Sequence, residues 1–288
     1  MQFLYLLEKI RVPGLNELML TITHLGEETA FLVLALVVFW CVDKYRGYFV
    51  LGVGLMGTVL SQFMKLLFRI PRPWVLDENF TILEEARAEA GGYSFPSGHT
   101  QSAVGTFGAI AASTRRKTVG IVCILLAVLV GALLSVALIV ILYPFMLGKC
   151  KKGLPVVFWV MLAVSIGFLL YVELLPNPEM LDPHNYESAL KNAYTLLGCC
   201  AGVLVVYYVD EKKLHFQTKA VWWAQILKVI LGLGAVLAVK EGLRAPLEAL
   251  FAGHLAARAV RYFLIVVVAG IVWPLSFRWF GKLGRKGE

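Results

Sequence analysis

Residues 48–73 read YFVLGVGLMGTVLSQFMKLLFRIPRP. From 48 to 64 there is no charged side chain and no alternation of polar with apolar residues. A helix needs about 20 mostly apolar residues to cross a hydrocarbon core of about 30 Å. A helix lying on a soluble core would instead show a polar face. The run ends on Lys65, Arg69 and Arg72, with Pro71 and Pro73 between and after them. Proline ends a helix, and long cationic side chains at a span end reach toward water. The stretch therefore predicts a membrane-crossing helix whose last turn and following residues stand at the polar edge.

Working outward, similar runs recur. The predicted spans are 27–42, 48–64, 97–113, 119–131, 132–147, 154–172, 192–209, 220–239 and 260–277. Residues 14–24 are apolar but too short to span and are expected at the interface. The fold expected is all-α: a polytopic transmembrane bundle of about nine spans with short interfacial helices, forming one membrane domain over 1–288. Composition agrees. Of 288 residues, 59% are hydrophobic and 16% charged, and the mean hydropathy is +0.75. Soluble domains are nearer a quarter charged. Met1 to Arg11 lacks a basic start and a small-residue cleavage site, so it does not read as a signal peptide.

The net charge of +8 does not point to nucleic acid, because the basic residues cap the apolar runs. Lys44 and Arg46 form one cap. Arg115, Arg116 and Lys117 form the next, followed by Lys149, Lys151 and Lys152. Lys212, Lys213 and Lys219 come fourth, and Arg278, Lys282, Arg285 and Lys286 close the chain. With alternating spans all of these fall on one side, which the positive-inside rule makes cytoplasmic. The opposite loops are acidic: Asp77, Glu78, Glu84, Glu85 and Glu89 in one, Glu173, Glu179, Asp182 and Glu187 in another. The N-terminus is then expected outside and the C-terminus inside. Five cysteines, Cys41, Cys123, Cys150, Cys199 and Cys200, make no C-x-x-C pattern and read as packing residues.

One region strains this scheme. Residues 119–147 are almost continuously apolar. As one helix they would be about 44 Å long, well beyond the hydrocarbon core, and would split the basic caps between faces. As two spans they satisfy the charges, but each leg is short and the connection near Gly131–Ala132 is missing.

The chemistry concentrates at two segments. Lys65 to Pro73 ends an outgoing span. Tyr93-Ser-Phe-Pro96-Ser97-Gly98-His99-Thr100 begins the next incoming one, so both meet at the same outer edge. Pro96 sets the entry, Ser97 can cap the helix, and Gly98 leaves room for close backbone approach. Free N–H groups and the positive end of the helix dipole favour an anion there. His99 stands in the first turn, placed to give a proton to a bound group. Lys65 offers a point charge and Arg72 a planar fork, both suited to phosphate oxygens. Either segment alone reads equally well as a helix anchor or an ordinary cap. Together on one membrane side they predict phosphate binding.

K-x6-R-P followed by P-S-G-H resembles the type 2 phosphatidic acid phosphatase family, membrane phosphatases that work without metal on lipid phosphates and related phosphoesters. The resemblance covers about Thr21 to Leu147, so a phosphatase-like core over 27–147 is expected, with further C-terminal spans over 148–288. It implies that Lys65 and Arg72 hold the phosphate, that Ser97 and Gly98 add hydrogen bonds, and that His99 protonates the leaving oxygen. No metal and no cofactor are implied. The substrate would be a lipid phosphomonoester or a polyprenyl diphosphate, taken at the outer face of a bacterial-type plasma membrane. Membrane lipids are the only other partners implied, and the oligomeric state stays open.

The same resemblance calls for a third motif, S-R-x5-H-x3-D, whose His is the nucleophile. It is absent. The best gapless fit starts at Ser135 and puts Val136, Leu142 and Met146 at the Arg, His and Asp positions. No histidine lies between His99 and His184. Two full spans and a turn need roughly ten to twenty more residues than 119–147 supplies, so the shortfall falls where the motif belongs. Loss of an outer loop that carried it, whether natural, an engineered deletion or a sequence error, would explain both. Losing a covalent nucleophile can cost on the order of a millionfold in rate. The alternatives are a non-catalytic protein that binds lipid phosphate and a transporter-like protein.

Other polar residues have plainer readings. His184 reads as a surface-loop histidine. Glu27 and Glu28 suit a helix start. Lys228 is expected near an interface or facing a helix partner. Trp74, Trp222, Trp223, Trp273 and Trp279 fall near span ends as an aromatic belt. His254, Arg258 and Arg261 mark an amphipathic stretch expected to be interfacial rather than ligand-binding.

Overall fold

The computed structural model describes residues 2–9, 11–12, 14, 16–17, 20–21, 28–77, 79–82, 92–114, 116–130, 133–147, 153–175 and 182–283. Most of the predicted interfacial stretch 14–24, most of the acidic loop 77–89, and Glu27, Arg115, Glu179, Lys149–Lys152, Arg285 and Lys286 lie outside the described residues. So does the expected connection at Gly131–Ala132.

Every regular element among the described residues is helical. The chain runs through α1 (Gln2–Lys9), α2 (Glu28–Val37), α3 (Lys44–Phe68) and the short α4 (Pro73–Leu76). It continues through α5 (Gly98–Ser113), α6 (Lys117–Val130), α7 (Leu133–Leu147) and α8 (Gly153–Glu173). Then come α9 (Pro183–Val209), α10 (Trp222–Gly242), α11 (Arg244–Leu250) and α12 (Ala256–Val267), with two short helical pieces, Trp273–Leu275 and Phe277–Phe280, at the end. Helices α2, α9 and α12 each continue into one π-helical turn, Val38–Val42, Asp210–Leu214 and Val268–Val272. Each of the nine predicted apolar stretches is thus a helix. Five helical stretches are long and apolar enough to cross a membrane: Lys44–Leu76, Gly153–Glu173, Pro183–Leu214, Trp222–Leu250 and Ala256–Phe280. The chain is a multi-pass helical membrane protein. The described residues of 119–147 belong to helices α6 and α7; by rise per residue each is only about 20 Å long.

Local chemistry sets the helix ends. The Asp43 carboxylate accepts from Arg46 N at 3.0 Å and starts α3. Arg69 closes it in the left-handed conformation at φ 49°, its N–H donating to Lys65 O at 2.9 Å. Pro71 and Pro73 then prevent renewal of the same helix. Asp182 caps α9, accepting from His184 N at 2.8 Å and Asn185 N at 3.2 Å, with Pro183 in the first turn.

Packing aligns α3 at the centre. Gly54 admits the Phe31 ring from α2, and Gly57 admits the Gln101 amide from α5. Tyr48, Phe158 and Tyr207 meet edge-on at 5.5–5.7 Å and join α3, α8 and α9. Below them Asp210, with no exposed surface, pairs with Lys44 at 2.9 Å. The same carboxylate accepts from Tyr48 Oη at 3.4 Å and Phe216 N at 3.2 Å. Helices α9 and α12 run parallel in close contact: Gly198 lies against Ala259, Gly202 against Val266, and Gly270 against Val206.

These contacts give the bundle two chemically distinct ends. The Lys44–Asp210 pair brings the first and fourth basic caps together, and Gly281 lies beside the Lys219 carbonyl, adding the last cap. Asp77 and Asp182 stand at the other end, where α3 finishes and α9 begins. Lys228 is fully buried, its ammonium donating to Trp40 O at 3.2 Å and Thr218 O at 3.1 Å, over the Phe277 ring at 4.3 Å. It therefore faces a helix partner, binding α10 to the end of α2.

Candidate functional site

At the acidic end, the last turn of α3 meets the first turn of α5. Lys65 is in the last turn of α3 and only 8% exposed. Its ammonium lies 3.8 Å from where a Cβ on Gly98 would stand, and 4.0 Å from the corresponding point on Gly92. It has no carboxylate partner among the described residues. A buried ammonium in that state is costly, and the groups it abuts are two glycines and a helix start.

Two straps hold the segments together. Arg72 Nε donates to Gly92 O at 2.8 Å, while its guanidinium stacks 5.3 Å from the Trp74 ring. Gly92 has φ +72°, a conformation that favours glycine. Ser94 N donates to Ile70 O at 2.9 Å, and Ser94 Oγ to Ile70 O and Pro71 O at 3.1 Å each. The residues before P-S-G-H are thereby bound to the residues before R-P. Lys65 and Arg72 are close enough to repel each other, so the two cations are held against their mutual repulsion.

Ser97 is the N-cap of α5. Its Oγ accepts from Thr100 N at 3.3 Å and from Thr100 Oγ1 at 2.9 Å. Gly98 opens the helix and His99, half-buried, follows in its first turn. The structure thus brings Lys65, Arg72 and the Ser97–Gly98–His99 helix start to one place. Such an arrangement gathers cations beside the backbone N–H groups of a helix start, features that favour an anion.

The positions aligned with the absent third motif are elsewhere. Leu142 and Met146 are buried in the apolar core, and Met146 packs on Gly52. Gly52 is thirteen residues before Lys65, about 20 Å along α3. Ser135 and Val136 belong to α7, nearer its start. His184 is exposed at the start of α9.

Sequence reasoning missed the contacts that frame this site. Tyr93 is buried and bonded to the Asn185 side chain, so the beginning of α9 presses on the loop before P-S-G-H. Burial pushes the Tyr93 phenol above its ordinary pKa, and the Asp182 charge adds to this against Arg69 and the Asn185 bond. Helix α1 docks on the segment after Arg72. Tyr5 Oη donates to Asp77 Oδ2 at 2.7 Å, Thr81 Oγ1 donates to Glu8, and Arg11 Nη1 donates to Thr81 O at 2.8 Å. Phe80 is buried between Tyr5 at 5.9 Å and Arg11 at 5.3 Å. No local pattern signals these pairs, which join residues about seventy positions apart.

Fold and site together define a polytopic helical membrane protein in which two cations and a capped helix start gather at one end of the bundle. The PAP2 superfamily matches residues 46–172, and the PAP2 superfamily phosphatase transmembrane extension matches residues 194–286. The chain belongs to the PAP2 superfamily of membrane phosphatases. No curated protein and no solved structure matches it.

Proposed function

We propose that this protein handles the phosphate of a lipid phosphomonoester or diphosphate at the outer face of a plasma membrane. In this reading Lys65 and Arg72 bind the phosphate oxygens, Ser97 and Gly98 add hydrogen bonds, and His99 gives its proton to the leaving oxygen. The observation that carries it is the buried Lys65 ammonium, set against Gly92 and Gly98 with no carboxylate beside it among the described residues. All nine apolar helices span in this reading, within a single membrane domain. The gathering of Lys44, Lys212, Lys219 and Arg278 at one end supports a cytoplasmic placement of that end by the positive-inside rule. The N-terminus and the site then face outside.

A second reading, binding without hydrolysis, is favoured by one specific observation. The positions where a nucleophilic His and its Asp would align are Leu142 and Met146, both inside the apolar core. Purified full-length protein incubated with phosphatidic acid and with polyprenyl diphosphate separates the two. Phosphate release that His99→Ala abolishes supports the phosphatase. Saturable binding without release supports the binding protein, and absence of both overturns the phosphate site.

A further inference from the structure

The second arginine cluster lies on the transmembrane extension. Arg258 and Arg261 stand three residues apart on α12, hence on one face. Both guanidinium groups flank the Tyr262 ring, at 5.9 Å and 5.5 Å. Arg258 Nε donates to Thr195 Oγ1 of α9 at 3.3 Å. Arg261, expected at an interfacial surface, is instead only 7% exposed. Its one acidic neighbour among the described residues is Glu248 of α11, at 4.0 Å. That carboxylate is 52% exposed and shared with Arg244 at 3.4 Å. Arg261 Nε is buried and has no hydrogen-bond partner among the described residues.

A buried guanidinium with an idle N–H and half of a distant carboxylate is poorly compensated. Ionisable groups inside membrane helices mark ligand or ion sites by default. Helices α9 and α12 run parallel from the same end, and Thr195 and Arg258 lie where the polar start of each gives way to its apolar run. We propose that Arg258 and Arg261, with Tyr262 and Thr195 as walls, form a second anion site that takes a phosphate group, carried on a lipid headgroup or free. It is separate from the Lys65 cradle. Asn185, which touches the cradle through Tyr93, is ten residues before Thr195, about 15 Å along α9.

The test uses the full-length chain carrying Lys65→Met, which silences the first cradle. Retention of phosphatidylglycerol against phosphatidylcholine is measured by native mass spectrometry. Thermal unfolding is followed with each lipid and with inorganic phosphate. Preferential retention of phosphatidylglycerol, weakened about tenfold or more by Arg258→Gln and by Arg261→Gln, is the expected result. Stabilisation by inorganic phosphate alone, lost in the same variants, keeps the site and assigns it to a free anion. If Arg261→Gln does not fold, the half-buried Arg258→Gln decides. Equal retention of both lipids, or retention unchanged by Arg258→Gln, together with no arginine-dependent effect of phosphate, overturns the proposal. Because Lys65 is already substituted, that failure does not bear on the reading of the first cradle.

Discussion

Gly98→Ala separates the fold from the phosphate cradle. The new methyl would stand 3.8 Å from Lys65 Nζ, an ordinary van der Waals contact, so nothing needs to move in the empty protein. Gly98 opens α5, where alanine is the better helix former by up to about 1 kcal/mol. Thermal stability in detergent should stay level or rise slightly. Binding should respond in the opposite direction. A phosphate oxygen about 2.8 Å from the ammonium, and bonded to the Gly98 N–H, passes beside the Gly98 Cα. The methyl occupies that approach and removes at least one charge-assisted hydrogen bond, about 1.5–3 kcal/mol. That energy is about a tenfold to 150-fold loss of affinity for phosphate or orthovanadate. Titration of wild type and variant by ligand-induced thermal shift reads both quantities in one experiment. A variant as stable as wild type that binds orthovanadate equally well refutes the placement of the oxyanion at this helix start.

Asp210→Ala should destabilise the protein by about 3–5 kcal/mol, because it strands the Lys44 ammonium beside Tyr48 after removing its fully buried partner; thermal unfolding in detergent measures this. The dock between α1 and the 77–81 segment should weaken in acid. Hydrogen bonds from Tyr5 and Thr81 hold the Asp77 and Glu8 carboxyls below their ordinary pKa values. Depressed carboxyls contribute stability above their unfolded pKa, about 4, and that contribution is lost as pH falls through the folded values. Amide exchange of residues 2–9, corrected for intrinsic rates, should therefore accelerate below about pH 4 and be unchanged between neutral pH and about 6.

Much of the architecture was legible because lipid demands unbroken apolar helices. Each of the nine stretches named from hydropathy is a helix, and the charge caps at Lys44, Lys212, Lys219 and Arg278 gather at one end. The meeting of the two polar segments was legible for a related reason. Lys65 to Pro73 and Pro96 to His99 are helix ends, and helix ends announce themselves through prolines, caps and cations. What stayed hidden is which faces meet. A helix in lipid is apolar on every side, so hydropathy carries little information about the buried face. The Lys44–Asp210 pair, the Tyr93–Asn185 bond and the burial of Arg261 all depend on such long-range pairing. Arg261 is instructive: its amphipathic neighbourhood reads as an interface, yet it is buried, with Glu248 of α11 as its acidic neighbour. Within 119–147 two spans could be argued only from charge balance, since the stretch has no polar turn.

The claim that one phosphoryl group is shared by Lys65, Arg72 and the start of α5 is tested most directly by an experimental structure of the full-length protein with tungstate bound. The anion should lie within about 3 Å of Lys65 Nζ and of the Gly98 backbone nitrogen, in reach of Arg72 and the His99 imidazole. Tungstate bound away from Lys65, or a cradle that stays empty at saturating tungstate, contradicts it.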